Sequence, residues 1–157
     1  MMKTILAIFG LAAAAFAQTK LTPVDDAGYA KLIASHKGRV VLVDFWATWC
    51  KPCRVQTPEL VKLEQKLRAR GFDLVTISSD TAEQQGAALK VLKDDGIAGP
   101  AYWKNVADDD KFYDTLDPKW GGALPAMFLY DRNGKKVKSF IGETPVKDIE
   151  AAISKLL

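Results

Sequence analysis

A chain of 157 residues is long enough for one domain with its own core and too short for two comfortable ones. With 48% apolar and 26% charged residues it has the balance of an ordinary globular protein, which argues against a disordered or fibrous chain. The net charge of +3 is small, and Lys and Arg are interleaved with Asp and Glu, so the basic stripe that a phosphate backbone requires is missing and nucleic acid is not an expected partner.

The first residues differ from the rest. Met1-Met2-Lys3 carries one positive charge, Ile5 to Phe16 is apolar or small throughout, and Ala15-Phe16-Ala17 has the small-x-small pattern of a signal-peptidase site. Residues 1–17 are therefore expected to be a signal peptide and Gln18 the mature N-terminus. The alternative is a retained N-terminal anchor, although the apolar run is short for a permanent membrane span. No cysteine stands near the cleavage point to take a lipid. Export, to the bacterial periplasm as a soluble domain of residues 18–157, is the expectation.

Along the mature chain, Lys20 to His36 reads as a lead-in and a short helix with Tyr29, Leu32 and Ile33 on one face. Val40 to Trp46 is β-branched and aromatic at both parities, as a strand covered on both faces should be. Ala47-Thr48-Trp49 turns the chain, and Cys50 to about Arg70 is helical, with Leu60, Leu63 and Leu67 inward and Pro58 inside. Phe72 to Ser78 is a second strand. Asp80 with Glu83 suggests the start of a helix that Gly96 stops, its buried edge being Ala87, Val91 and Leu92. Ala101 to Trp103 reads as a short strand, Ala107 to Leu116 as an acidic helix, and Pro118 to Gly122 as a loop. Ala126 to Tyr130 is a strand, and a tight turn at Asp131 to Gly134 returns Lys136 to Ile141 as its hairpin partner. Thr144-Pro145 suggests the cap of a last helix with Val146, Ile149, Ile153 and Leu156 on one face. The order predicts one α/β domain, a mixed sheet between helix layers.

The chemistry lies in two cysteines. Cys50 and Cys53 are the only ones, three positions apart. A bond between them closes almost no loop and adds little stability through chain entropy, so the pair is suited to opening and closing. Cys50 falls where strand gives way to helix, and free N–H groups with the helix dipole there favour a thiolate, lowering the thiol pKa below about 8.5. Lys51 adds a positive charge, and Pro52 suits a first helical turn. Cys53 lies one turn in on the same face, within disulfide reach, and is expected to be the more sheltered. This makes Cys50 a water-facing attacker and Cys53 a resolver in thiol–disulfide exchange. The resolver must lose a proton. Asp44, a carboxyl in an otherwise apolar strand, is the expected acceptor, because burial raises its pKa. The plainer reading has Asp44 pointing into a polar pocket or sitting at a strand end.

The segment Val41 to Cys53 strongly resembles the active-site segment of thioredoxins. Asp44 falls on their buried aspartate, Trp49 on the tryptophan before the first cysteine, and Pro58 on the helix proline. Gly122-Ala123-Leu124-Pro125 is similar to the loop whose proline is cis and lies against the disulfide. The resemblance implies a thioredoxin-like three-layer fold with a cis Leu124-Pro125 bond and a backbone there that pairs with a bound substrate strand. Trp49, Pro52, Leu124 and Pro125 are then the substrate-contacting residues. Residues 80–120 are longer than plain thioredoxin has between its second helix-strand unit and its cis-proline strand. That length, the signal segment and Trp-Cys-x-Pro-Cys look more like the exported TlpA and ResA type. Members of that group commonly reduce disulfides outside the cytoplasm, some in apocytochromes c. Many carry glutamate where this chain has Gln56 and asparagine where it has Asp44, which moves the acid–base group to the thioredoxin position.

Other residues read more plainly. Trp49 is equally a shield for the sulfurs or simple packing, while Trp46, Trp103 and Trp120 suit core or loop packing. Asp108 to Asp110 is a solvated helix start. His36, the single histidine, sits at a helix end. Zinc would need two further ligands beside the two thiols, and covalent haem would need His where Arg54 stands. No metal or cofactor is expected.

The leading function is an exported dithiol–disulfide oxidoreductase acting as a reductant on disulfide-bearing client proteins. A transmembrane thiol carrier would supply its electrons, and a monomer is expected. The rivals are a net oxidant, a peroxiredoxin-type peroxidase, whose cysteine context Ala47-Thr48-Trp49 does not fit, and a non-catalytic module binding thiol clients or copper.

Overall fold

The computed structural model describes residues 20–97 and 99–157; the expected signal segment, residues 1–17, lies outside the described residues. Six strands, β1 (Thr22–Val24), β2 (Val40–Trp46), β3 (Phe72–Ser78), β4 (Tyr102–Lys104), β5 (Ala126–Tyr130) and β6 (Lys136–Ile141), alternate with five helices. These are α1 (Asp26–Ser35), α2 (Lys51–Leu67), α3 (Gln85–Asp94), α4 (Asp109–Leu116) and α5 (Val146–Ser154). The strands form one sheet in the order β1-β4-β3-β2-β5-β6. β1 to β4, β4 to β3 and β3 to β2 are parallel, while β5 runs antiparallel to both β2 and β6.

β2 is central, and all seven of its residues are buried. Strand alternation sends Val41, Val43 and Phe45 to one face, where they pack with Tyr29, Leu32 and Ile33 of α1, Phe112 and Leu116 of α4, and Trp120. Val40 and Leu42 go to the other, against Leu60, Leu63 and Leu67 of α2 and Ile149 and Ile153 of α5. By the same parity Asp44 and Trp46 are on the α2 side. Burying each large apolar side chain contributes about 1.5–3 kcal/mol, so both layers are firmly seated. A third cluster at the C-terminal end of β2 joins Trp46, Cys50 and Cys53 to Ala88, Val91 and Leu92 of α3. The result is the expected three-layer α/β fold, with an enlarged segment between β3 and β5 that holds α3, β4 and α4.

Several local expectations are corrected. The lead-in contains a strand, β1, which pairs with β4 at the sheet edge. Asp80 does not start a helix. Thr81 does, in a capping box with Gln84 that opens a short 3-10 turn over Ala82–Gln84. Within α3 it is Ala88 rather than Ala87 that is buried with Val91 and Leu92, because residues three and four apart on a helix share a face. Thr144 does not cap α5: Pro145 is its N-cap residue, and the Thr144 hydroxyl donates to the Gly142 carbonyl. Leu156 lies beyond the end of that helix. His36 is at the end of α1, with Nδ1 2.9 Å from Asp73 Oδ2.

Candidate functional site

The site forms where β2 hands over to α2. Cys50 is the N-cap of α2, and its Sγ accepts a hydrogen bond from the Cys53 N–H at 3.3 Å. Pro52 stands in the first helical turn, where its missing N–H costs nothing. Cys50 and Cys53 are joined by a disulfide, S–S 2.04 Å, Cα–Cα 5.3 Å. The expected contrast in exposure is small in this form. Cys50 is 4% exposed and Cys53 1%, because both pack into the cluster with Trp46 and Leu92. The inequality that remains is positional, since the Cys53 N–H donates to the Cys50 sulfur.

Trp49 is the solvent-facing residue of the turn, 64% exposed. Thr48 beside it is tied down: its N–H and its hydroxyl both donate to the Asp80 carboxylate, the hydroxyl at 2.6 Å. The Ser78 hydroxyl donates to the same carboxylate at 2.8 Å, and the Ser79 N–H donates to the Trp46 carbonyl at 2.7 Å. Parallel pairing aligns Trp46 with Ser78, so the two strands end side by side and the loop after β3 braces the turn before Cys50.

Asp44 is 1% exposed. Burial pushes its pKa from 3.8 up to about 7, and a hydrogen bond from Thr57 works against that rise. The Thr57 hydroxyl donates to Asp44 Oδ2 at 3.3 Å. Thr57 lies one turn beyond Cys53 on the same buried face of α2, which brings the carboxyl to the side of the helix that carries the second sulfur. Neither Thr57 nor Asp80 was singled out as a site residue from the sequence. The spacing of four from Cys53 could have found Thr57; Asp80 needed the parallel β2–β3 register.

The Leu124-Pro125 peptide bond is cis, as the resemblance implied. Pro125 is buried, its carbonyl accepts from the Gly142 N–H at 2.8 Å, and the Trp120 indole donates to the Ala123 carbonyl at 2.7 Å. Leu124 packs against the cluster that contains both cysteines. Beside the first turn of α2 runs a groove of about 550 Å³, lined by Pro52, Val55, Gln56, Glu143, Thr144 and Pro145. Val55 there is 67% exposed. Gln56 donates from its side-chain amide to the Thr144 carbonyl at 2.6 Å, which fastens α2 to the start of α5. Among the described residues no cluster of three or more His, Cys, Asp or Glu side chains is arranged to hold a metal ion, and no helix is long and apolar enough to cross a membrane.

Comparison with known proteins agrees with this geometry. A family profile described as Redoxin matches residues 13–153. The chain is similar to a thiol-disulfide oxidoreductase ResA of Bacillus thuringiensis (strain Al Hakam), 32% identical over 120 residues, covering 76% of this chain and 65% of that protein. It thus spans slightly less than two thirds of that relative's length. Among solved structures it is similar to a thiol:disulfide interchange protein of the thioredoxin family from Chlorobium tepidum TLS, with TM-score 0.63 and 25% identity over 78% of this chain and 83% of that one. A DsbF homologue from Corynebacterium diphtheriae shares the fold, with TM-score 0.67 and 22% identity over 79% of this chain and 76% of that one. By the extent of the profile match, the chain belongs to the Redoxin family, within the thioredoxin superfamily.

Proposed function

We propose that the chain is an exported thiol–disulfide oxidoreductase that reduces client proteins through Cys50 and Cys53, its mature part being residues 18–157. The observation that carries this reading is a disulfide between the N-cap residue and first turn of α2, on the helix side where a buried carboxyl with a pKa of about 7 also sits. Similarity to proteins named thiol-disulfide oxidoreductases and thiol:disulfide interchange proteins supports it.

In the reduced protein, the Cys53 N–H and the helix dipole favour a Cys50 thiolate. That thiolate attacks one sulfur of a client disulfide. The client S–S bond breaks, one client sulfur leaves as a thiolate, and Cys50 is joined to the other. Cys53 then gives its proton to the Asp44 carboxylate and attacks Cys50 Sγ. The mixed disulfide breaks, the second client sulfur leaves, and the Cys50–Cys53 disulfide remains. Two electrons have passed to the client. Exposed Trp49, Pro52 and the Leu124-Pro125 loop are the client-contacting surface in this reading. An exported reductant needs electrons from across a membrane, so a transmembrane thiol carrier is the proposed donor. Apocytochrome c is one client class that the family resemblance suggests.

Reduction of a disulfide-containing protein, driven by a dithiol donor, tests the activity: the wild type accelerates it, and Cys50→Ser removes the acceleration. Equilibration with glutathione sets the direction. A potential well below that of glutathione supports the reductant, and one well above it supports a net oxidant.

A further inference from the structure

The mechanism above needs Asp44 to be an available base near neutral pH, yet burial alone drives a carboxyl toward permanent protonation. One group opposes that drive. Thr57 is 2% exposed, and a hydroxyl has one hydrogen to donate. A threonine inside a helix ordinarily spends it on the carbonyl four residues back, here that of Cys53. Thr57 instead directs its hydroxyl across to Asp44 Oδ2 at 3.3 Å. A sequence that needed only packing at this point would do better with valine, which has the same shape and no polar atom to bury.

The surroundings leave that bond without competition. Across the sheet, Thr76 of β3 and Met127 of β5 stand opposite Asp44. The buried face of α2 brings Cys53 and Thr57. None of these is charged while the disulfide is closed. No ion pair joins Asp44 among the described residues; burial pushes its pKa up, and the Thr57 bond works against that rise. The Thr76 hydroxyl, though buried in the neighbouring register position, makes no hydrogen bond among the described residues. Thr57 is thus the group that can distinguish the two protonation states of Asp44, because a donated hydrogen bond favours the carboxylate.

We propose that Thr57 is a positioning residue for proton transfer: through its bond to Oδ2 it orients the Asp44 carboxyl on the Cys53 side of α2 and favours its carboxylate form against the effect of burial. The proton leaves Cys53 Sγ for the Asp44 carboxylate and the electron pair stays on Cys53, which attacks Cys50 Sγ. Thr57 neither gains nor loses a proton. This inference rests on the proposed role of Asp44 as the acceptor, and its test separates the two.

The test titrates the Asp44 carboxyl carbon by NMR in the full-length oxidised protein, and in parallel measures the pH profile of disulfide exchange. Thr57→Val removes the hydroxyl and keeps the shape. It is expected to raise the Asp44 midpoint by about one pH unit, the size of a hydrogen bond to a charged group, and to move the exchange profile the same way. Thr57→Ser keeps the hydroxyl and is expected to restore the wild-type midpoint, which a purely structural role for the threonine methyl would not do. Thr57→Ala, which deletes the same hydroxyl with less bulk, is expected to shift in the direction of valine and decides the matter if valine does not fold. An unchanged midpoint in the variants lacking the hydroxyl, or a serine variant that shifts as valine does, overturns the inference. The Asp44→Asn protein tests the underlying role on its own. A rate profile unaffected by that change defeats Asp44 as acceptor, while the carboxyl midpoints in the Thr57 variants still decide whether the bond holds the carboxylate.

Discussion

Replacing Asp44 by Asn is expected to stabilise the oxidised protein at neutral and alkaline pH and to do so less and less as the pH falls. The carboxyl is fully enclosed and titrates at about 7 rather than 3.8. The folded state therefore holds a proton that the unfolded chain has already released. Moving the midpoint from 3.8 to about 7 corresponds to about 4 kcal/mol between the two protonation states. The stability associated with this group is complete below pH ~4, is lost progressively as the pH rises toward ~7, and stays lost above that. Asn has nearly the same shape, can accept the Thr57 hydroxyl on its amide oxygen, and does not titrate. Whatever its packing costs is independent of pH. The difference between the variant and the wild type should therefore grow by several kcal/mol between pH 4 and pH 8, with most of the change complete by pH 7. Urea unfolding at a series of pH values, with the disulfide intact, reads this directly. A difference that is flat from pH 4 to pH 8 would refute the claim that Asp44 is buried with a strongly raised pKa.

Asp80→Ala leaves the Thr48 N–H and hydroxyl and the Ser78 hydroxyl without their acceptor, so a loss of about 2–4 kcal/mol is expected in chemical unfolding, with slower exchange at Cys50. Gly122 has φ +83°, and a Cβ there would come within 2.5 Å of the Tyr113 ring; Gly122→Ala is expected to lower stability by more than about 1 kcal/mol and to weaken client binding through the adjoining cis-proline loop. Trp49→Ala should change stability by less than about 0.5 kcal/mol, because the side chain is 64% exposed. It should also raise the apparent KM for a protein disulfide with little effect on reduction by a small dithiol.

How far the sequence carries depends on whether a signal is local. β2 was legible because apolar residues at both parities require cover on both faces, and Asp44 stood out as the single carboxyl in that run. The Cys50–Cys53 pair was legible because three residues on a helix make one turn. Burial of Cys50 was not. It depends on Ala88, Val91 and Leu92 of α3, which arrive from a distant part of the chain. Asp80 was misread for a related reason. An acidic residue three before a Glu looks like a helix cap, and only the register of β2 with β3 turns that carboxylate toward Thr48. Ala88 takes the place expected of Ala87 because it stands three and four residues before Val91 and Leu92 and so shares the face of both. Thr57 has an ordinary helical position, and its part emerges only once the parity of β2 brings Asp44 to the same side of the sheet.

The most direct measurement is capture of a client by the Cys53→Ser protein. If Cys50 attacks and Cys53 resolves, removing the resolver should leave a mixed disulfide between Cys50 and a disulfide-bearing substrate, visible on a non-reducing gel and released by a dithiol. Cys50→Ser should trap little. Equal capture through either cysteine, or none through Cys50, would contradict the account.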